Sequence, residues 1–230
     1  EKVGSRKKLG DVSFMRQAVE KMKTEQIWKR GEHVYLQFVT YSGHNPFILP
    51  DNLKRIQLKG NYPRKMLDYM TMANYTDHAV GILLQYLKSR PDWHETMVVI
   101  VGDHEGLAAD RADIRRSAEG RRVVSASQFT PFIVLNSPVT MRYDGILGQV
   151  DMYPTILNLM HLDNYYWRGM GQSILDKRKV AVAVGSQMNI EGDVSHASKV
   201  EINRLTQAHT IADWVIRYNM EQSLPILKKD

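Results

Sequence analysis

The stretch Thr96–Gly106, TMVVIVGDHEG, constrains the fold of this chain more than any other. Met97 to Val101 is an apolar run, rich in β-branching and too short for a stable helix. Such a run predicts a strand buried on both faces, as in sheets covered by helices. Gly102 ends it, and Asp103 and His104 follow on the turn leaving its C-terminal end. In open α/β sheets, ligands and reacting groups collect just outside those ends. A carboxylate oxygen beside an imidazole nitrogen makes Asp103 and His104 candidate ligands for a first-row metal. A pair of ligands is not specific on its own. An Asp capping the next segment beside a surface His fits the same spacing.

Upstream, Asp11 or Ser13 is placed to N-cap a helix running to about Trp28, with Phe14, Val19 and Met22 on one side. Val34 to Val39, VYLQFV, predicts a strand that ends in TYSGHNPF, where Gly43 allows a turn and Pro46 stops the strand. A long helix is predicted from about Arg64 to Ser89, ended by Pro91. Strand, helix and strand in this order predict a right-handed parallel crossover. Both strands then end on one sheet edge, and His44 shares that edge with Asp103 and His104.

Downstream, residues 107–128 are polar and predict a mobile surface loop with a short helix near 110–117. Pro131 to Leu135 predicts another strand. Asp151 caps a helix with Pro154 in its first turn. Aromatic and glycine turn residues, YYWRGMGQS, follow at 165–173, then a strand at Val180 to Val184 and a last helix over roughly 197–222. The pattern is one α/β domain over residues 1–230 with a parallel or mixed sheet. Residues 1–10 read as a loosely held lead-in, and 177–230 as a C-terminal strand and helix extension.

The absence of cysteine excludes disulfides, thiolate metal sites and cysteine nucleophiles. No apolar run approaches membrane-spanning length. The net charge of +6 is spread over RKK at 6–8, the Arg pairs 115–116 and 121–122, KRK at 177–179 and the terminal lysines 228–229. That suits an anionic partner, and equally a plain basic surface. No basic run is interleaved with aromatics, so nucleic acid is not expected. His33, His78, His94, His161, His196 and His209 have no partner at ligand spacing and read as structural or exposed. Asp77 and Asp151 read as packing and capping groups. The chain opens on Glu1 rather than Met, so it reads as a piece of a longer polypeptide.

Set side by side, these motifs resemble a known family. TMVVIVGDHEG resembles the late metal-binding motif of the sulfatase and alkaline-phosphatase superfamily. QFVTYSGHNPF is similar to the strand-plus-His segment of its lipoteichoic-acid-synthase-like, phosphoglycerol transferase branch. ANYTDHAVGILLQYLKSRPDWHETM, FTPFIVLNSP, QVDMYPTILNLMHL and YYWRGMGQSIL resemble the core segments around them, over about residues 11–176. The resemblance implies an alkaline-phosphatase-like sandwich with helices on both faces of the sheet, of which this chain is the C-terminal half. It implies that Asp103 and His104 ligate a divalent cation, manganese foremost, with zinc or calcium as alternatives. It implies that His44 binds phosphoryl oxygens or protonates the leaving group of an anionic phosphodiester or sulfate ester. The nucleophilic Thr and first metal-ligating carboxylate of the family have no counterpart in residues 1–43. Glu105 stands where much of the superfamily has Gly. The implied whole is an enzyme anchored through missing N-terminal segments at the extracytoplasmic face of a bacterial membrane, and the fragment alone is expected to be inactive. Two alternatives stay open: a sulfate ester hydrolase, or a non-catalytic remnant that binds anionic ligands.

Overall fold

The computed structural model describes the chain apart from residues 5, 6, 26, 28, 30, 163–168, 186, 187 and 219–230. The chain divides into two compact units, Glu1–Asn136 and Ser137–Asp230.

The first unit is built on two helices, α1 (Asp11–Thr24) and α2 (Arg64–Lys88). Val12, Met15, Val19 and Met22 of α1 recur at helical spacing and are buried. So are Met66, Met72, Tyr75, Ala79, Leu83 and Leu87 of α2. Facing apolar stripes of this kind are what hold a pair of helices together, at roughly 1.5–3 kcal/mol for each large side chain taken fully from water. Ahead of α1, a short antiparallel hairpin pairs β1 (Lys2–Val3) with β2 (Lys8–Leu9). Residues 1–4 are therefore tied down, although they read as loose in the sequence. Gly10 occupies the N-cap of α1. Asp11 is the first helical residue and its side chain does not cap its own helix.

The strand expected at Met97 to Val101 is present as β3 (Val98–Val101), and it pairs antiparallel with β4 (Phe132–Leu135). The segment 34–39 forms no ladder. The parallel crossover expected from the order of elements is therefore not observed among the described residues, where every ladder is antiparallel. The physical reason is visible in the burial. Val34, Leu36 and Phe38 are half-buried while Tyr35, Gln37 and Val39 are exposed. Leu36 and Phe38 pack on the core. A two-residue period reports one covered face, and says nothing about a hydrogen-bonded neighbour. Val101 is 51% exposed, so β3 is not covered on both faces as expected.

Residues 107–128 are more ordered than their polar composition suggests. They carry α3 (Arg111–Ile114) and α4 (Ala118–Val123), with Leu107, Ile114 and Val124 buried. Ser117 caps α4 by accepting from the Gly120 amide at 2.9 Å.

The second unit holds α5 (Met152–Leu159), the antiparallel pair β5 (Val182–Val184) and β6 (Ile190–Gly192), and α6 (Lys199–Arg217). Asp151 precedes α5 with a buried carboxylate. It accepts from the Gly148 amide at 2.9 Å and the Gln172 amide at 2.8 Å. Lys179 Nζ lies 3.2 Å from it, with both side chains 4% exposed. Tyr165, Tyr166 and Trp167, expected in a turn, and the expected end of the last helix at 219–222 lie outside the described residues.

Candidate functional site

The turn after β3 carries Asp103 and His104 at the surface, their side chains 88% and 63% exposed. Asp103 Oδ1 accepts from the His104 amide at 2.8 Å. His104 Nδ1 lies 3.1 Å from the Glu105 carbonyl. A carbonyl oxygen only accepts, so Nδ1 is the protonated nitrogen and Nε2 keeps its lone pair in the neutral ring. This is how metal-ligating histidines are generally oriented. His104 Nε2 is 3.6 Å from Asp103 Oδ2. Donor atoms bound at about 2.0–2.2 Å stand roughly 3.4 Å apart around a tetrahedral cation and roughly 3 Å apart around an octahedral one, so this exposed pair needs only a side-chain adjustment to serve as two ligands of one cation. They fit as part of a ligand set, not as a whole one. Among the described residues no cluster of three or more His, Asp or Glu gathers around a common point.

Glu105, the next residue, turns back into the protein. Its carboxylate pairs with Arg111, whose Nε donates to Glu105 Oε1 at 3.0 Å, and both side chains are largely buried. This ties the Asp103–His104 turn to α3. Other arginines of the 107–128 segment are spent on its own backbone. Arg121 Nη1 donates to the carbonyls of Arg115 and Arg116 at 3.0 Å each, and Arg115 donates to the Val124 carbonyl. The sequence reading of these arginines as a basic surface missed this use, because their targets are main-chain atoms.

His44 sits on an exposed turn after residues 34–39. Its Nδ1 lies 2.8 Å from the Asn45 carbonyl, so the same argument places a proton there. Its ring stacks on Tyr41, with centroids 5.6 Å apart and planes 4° from parallel. Lys8 Nζ lies 4.4 Å from the centroid of Tyr41. Phe47 closes the turn in the left-handed region at φ 59°, with its side chain 2% exposed. A non-glycine residue holds that conformation only where packing over-determines it. Here Phe47 meets Tyr69 of α2 edge to face at 5.2 Å.

The same pair of rings lies against the other turn. A Cβ added at Gly106 would lie 2.8 Å from Tyr69 Cε2 and 3.7 Å from Phe47 Cζ. The turns bearing His44 and Asp103–His104 therefore abut on one patch of α2. A parallel pair of strands does not bring them there. They meet through Phe47, Tyr69 and Gly106, none of which the sequence had singled out. An aromatic after His-Asn-Pro and a glycine after Asp-His-Glu were the available signals.

Of the other histidines, His33 and His94 are exposed and His209 is half-buried. His78 on α2 is half-buried, and its imidazole is shifted down by burial and by Arg55 and Arg16 nearby. His161 and His196 are exposed. Several threonine hydroxyls donate to the carbonyl four residues earlier: Thr24 to that of Glu20, Thr71 to that of Leu67, and Thr155 to that of Asp151. Among the described residues no helix is long and apolar enough to cross a membrane.

Comparison with known proteins adds the rest. The Sulfatase family model matches residues 8–162. A lipoteichoic acid synthase-like protein of Bacillus subtilis is 23% identical over 185 residues, which are 76% of this chain and 29% of that protein. The lipoteichoic acid synthase of Staphylococcus aureus is 25% identical over 152 residues, 62% of this chain and 23% of that one. The chain thus spans under a third of the length of these relatives. A crystal structure of an alkaline phosphatase superfamily protein from Vibrio parahaemolyticus superposes with a TM-score of 0.59 at 17% identity. It covers 94% of this chain and 56% of that one, and it shows the α/β fold expected from the sequence.

Proposed function

The chain belongs to the sulfatase family, and we propose that it is the C-terminal portion of an enzyme that transfers or hydrolyses phosphoglycerol-type phosphodiesters. In this reading the whole protein depends on a divalent metal, manganese first, and works at the extracytoplasmic surface of a bacterial membrane. The observation that carries the proposal is the Asp103–His104 pair, with donor atoms 3.6 Å apart, beside the turn that bears His44. A cation bound there would lower the pKa of an attacking hydroxyl and offset charge on the phosphoryl group.

The residues of this chain have defined parts. Asp103 and His104 supply two of the ligands. Glu105 and Arg111 keep their turn in place from below. His44 holds its Nδ1 proton on the Asn45 carbonyl, so only Nε2 exchanges protons with a substrate. In the imidazolium form, Nε2–H donates to a phosphoryl oxygen or passes its proton to the departing alkoxide. The ring is left neutral with Nδ1–H still held, so no change of tautomer or orientation is needed. The nucleophile and the remaining ligands belong, on this proposal, to the part of the whole protein that this chain does not span.

The test is a calorimetric titration of the 230-residue chain with manganese, beside an assay with an aryl phosphodiester. Weak binding, lost in Asp103→Ala, together with no turnover, is the expected outcome. Turnover abolished by His104→Ala would put the nucleophile inside this chain. Tight binding that survives Asp103→Ala would put the metal elsewhere.

A further inference from the structure

We propose that Asp11 is the positioning residue for His44. The proposal rests on the reading of His44 as a substrate-facing group. Asp11 is 1% exposed, yet it is a carboxylate on the first turn of α1. Burying such a group without partners is costly. Its hydrogen bonds reach 30, 31 and 65 residues along the chain. Oδ1 accepts from the amides of Tyr41 at 2.9 Å and Ser42 at 3.1 Å. Oδ2 accepts from the Ser42 amide at 3.2 Å and from the Thr76 hydroxyl of α2 at 3.0 Å. The Ser42 hydroxyl, 3% exposed, in turn accepts from the Asp11 amide at 2.9 Å. Asp11 and Ser42 thus satisfy each other as the members of a capping box do, but across 31 residues. The N-terminus of α1 adds a partial positive charge behind the carboxylate.

What this arrangement fixes is the start of the turn that carries His44. The His44 amide donates to the Tyr41 carbonyl at 3.1 Å, so the turn closes on the residue that Asp11 grips. Tyr41 also supplies the ring on which the imidazole lies. With both amides of Tyr41 and Ser42 held by one buried carboxylate, the peptide between them has a single orientation. The stacked imidazole inherits it. Glycine at position 43 and the exposed Asn45 offer no comparable anchor. The result is a buried carboxylate set on two amides that adjoin the candidate acid–base group of the turn.

The experiment reads the His44 ring directly in the 230-residue chain, by nuclear magnetic resonance of its histidine side chains. With the two rings stacked, the His44 ring protons of the native chain are expected upfield of those of an unstacked histidine. Asp11→Ala removes the acceptor, and this displacement is expected to be lost. The His161 signals stay in place, and thermal unfolding remains cooperative. Asp11→Asn keeps an oxygen for the two amides and offers its NH₂ to the Thr76 oxygen. It is expected to restore the native His44 signals. Thr76→Val removes the one donor from α2 and should move them in the same direction as Asp11→Ala, by less. If Asp11→Ala does not fold, Thr76→Val decides. Folded variants whose His44 signals match the native chain overturn the proposal, as does failure of Asp11→Asn to restore them. Glycerol 1-phosphate titrated into the native chain tests the functional reading separately. Its failure to perturb His44 would count against substrate contact, while the positioning result is read from the stacked ring without ligand.

Discussion

Phe47 is where the geometry of the candidate site is most open to measurement. Its side chain is 2% exposed, and it meets Tyr69 edge to face at 5.2 Å while lying against Gly106. Truncating a buried Phe to Ala costs about 3–5 kcal/mol, through lost transfer energy and the cavity left behind. The backbone of Phe47 adds a second, separable contribution. At φ 59° a side-chain-bearing residue pays roughly 1–2 kcal/mol against the Cβ, and glycine does not. Phe47→Ala keeps that penalty and loses the ring. Phe47→Gly loses the ring and sheds the penalty. Glycine is therefore expected to be the less damaging replacement, by about 1 kcal/mol, against the usual order of the two residues. Phe47→Leu retains most of the apolar volume and should cost less than either. The assay is urea unfolding followed by tryptophan fluorescence, with stability compared at an unchanged slope. Two results would refute the reasoning. One is a cost for Phe47→Ala below about 1 kcal/mol, which would mean the ring is not packed between the turns. The other is Phe47→Gly falling below Phe47→Ala, which would mean the turn is not held left-handed at this residue.

Two further outcomes follow from buried groups. Lys179→Met leaves the Asp151 carboxylate buried without its cation and should destabilise the second unit by about 3–5 kcal/mol, with Asp151→Asn added in the double variant recovering part of it; a loss below about 1 kcal/mol in urea unfolding would mean the pair is not desolvated. Tyr75 is pushed up to about 12, first by burial and then by its hydrogen bond to Glu1. A raised value means the folded state holds the proton longer than the unfolded chain. Its contribution is therefore whole below about pH 10 and is lost as pH climbs toward about 12, roughly 2–3 kcal/mol in all. Unfolding curves between those pH values should fall more steeply for the native chain than for Tyr75→Phe, and equal slopes would refute the assignment.

What was legible in the sequence follows the range of the interaction that makes each feature. The helices α1 and α2 and the strand β3 were readable because their apolar spacing is set within a few residues. The partner of β3 was not. Strand pairing is a contact between distant segments, and the order strand, helix, strand favoured a parallel neighbour where β4 lies antiparallel. The hairpin of β1 and β2 escaped notice because two-residue strands have no period to read. Residues 107–128 looked mobile because their order comes from arginines bonded to carbonyls and from a few buried apolar side chains, not from an apolar stripe.

The candidate site divides along the same line. Asp103 and His104 announce themselves because adjacent ligand-type residues after a strand and a glycine are a local pattern. Asp11 does not, since a lone Asp at a helix start has an ordinary explanation as a cap, and its real partners lie 30, 31 and 65 residues away. The exposure of the candidate pair then carries its own consequence. On the proposed metal reading, side chains 88% and 63% exposed would hold a cation in competition with water at nearly full strength, and two donors would leave most of its coordination shell to solvent. Affinity would then have to come from further ligands brought to the same point. The buried parts of this chain, namely Asp11 with Ser42, Glu105 with Arg111, and Phe47 with Tyr69, supply none. They hold the loops in place, which is the part the proposed function gives to the buried residues of this chain.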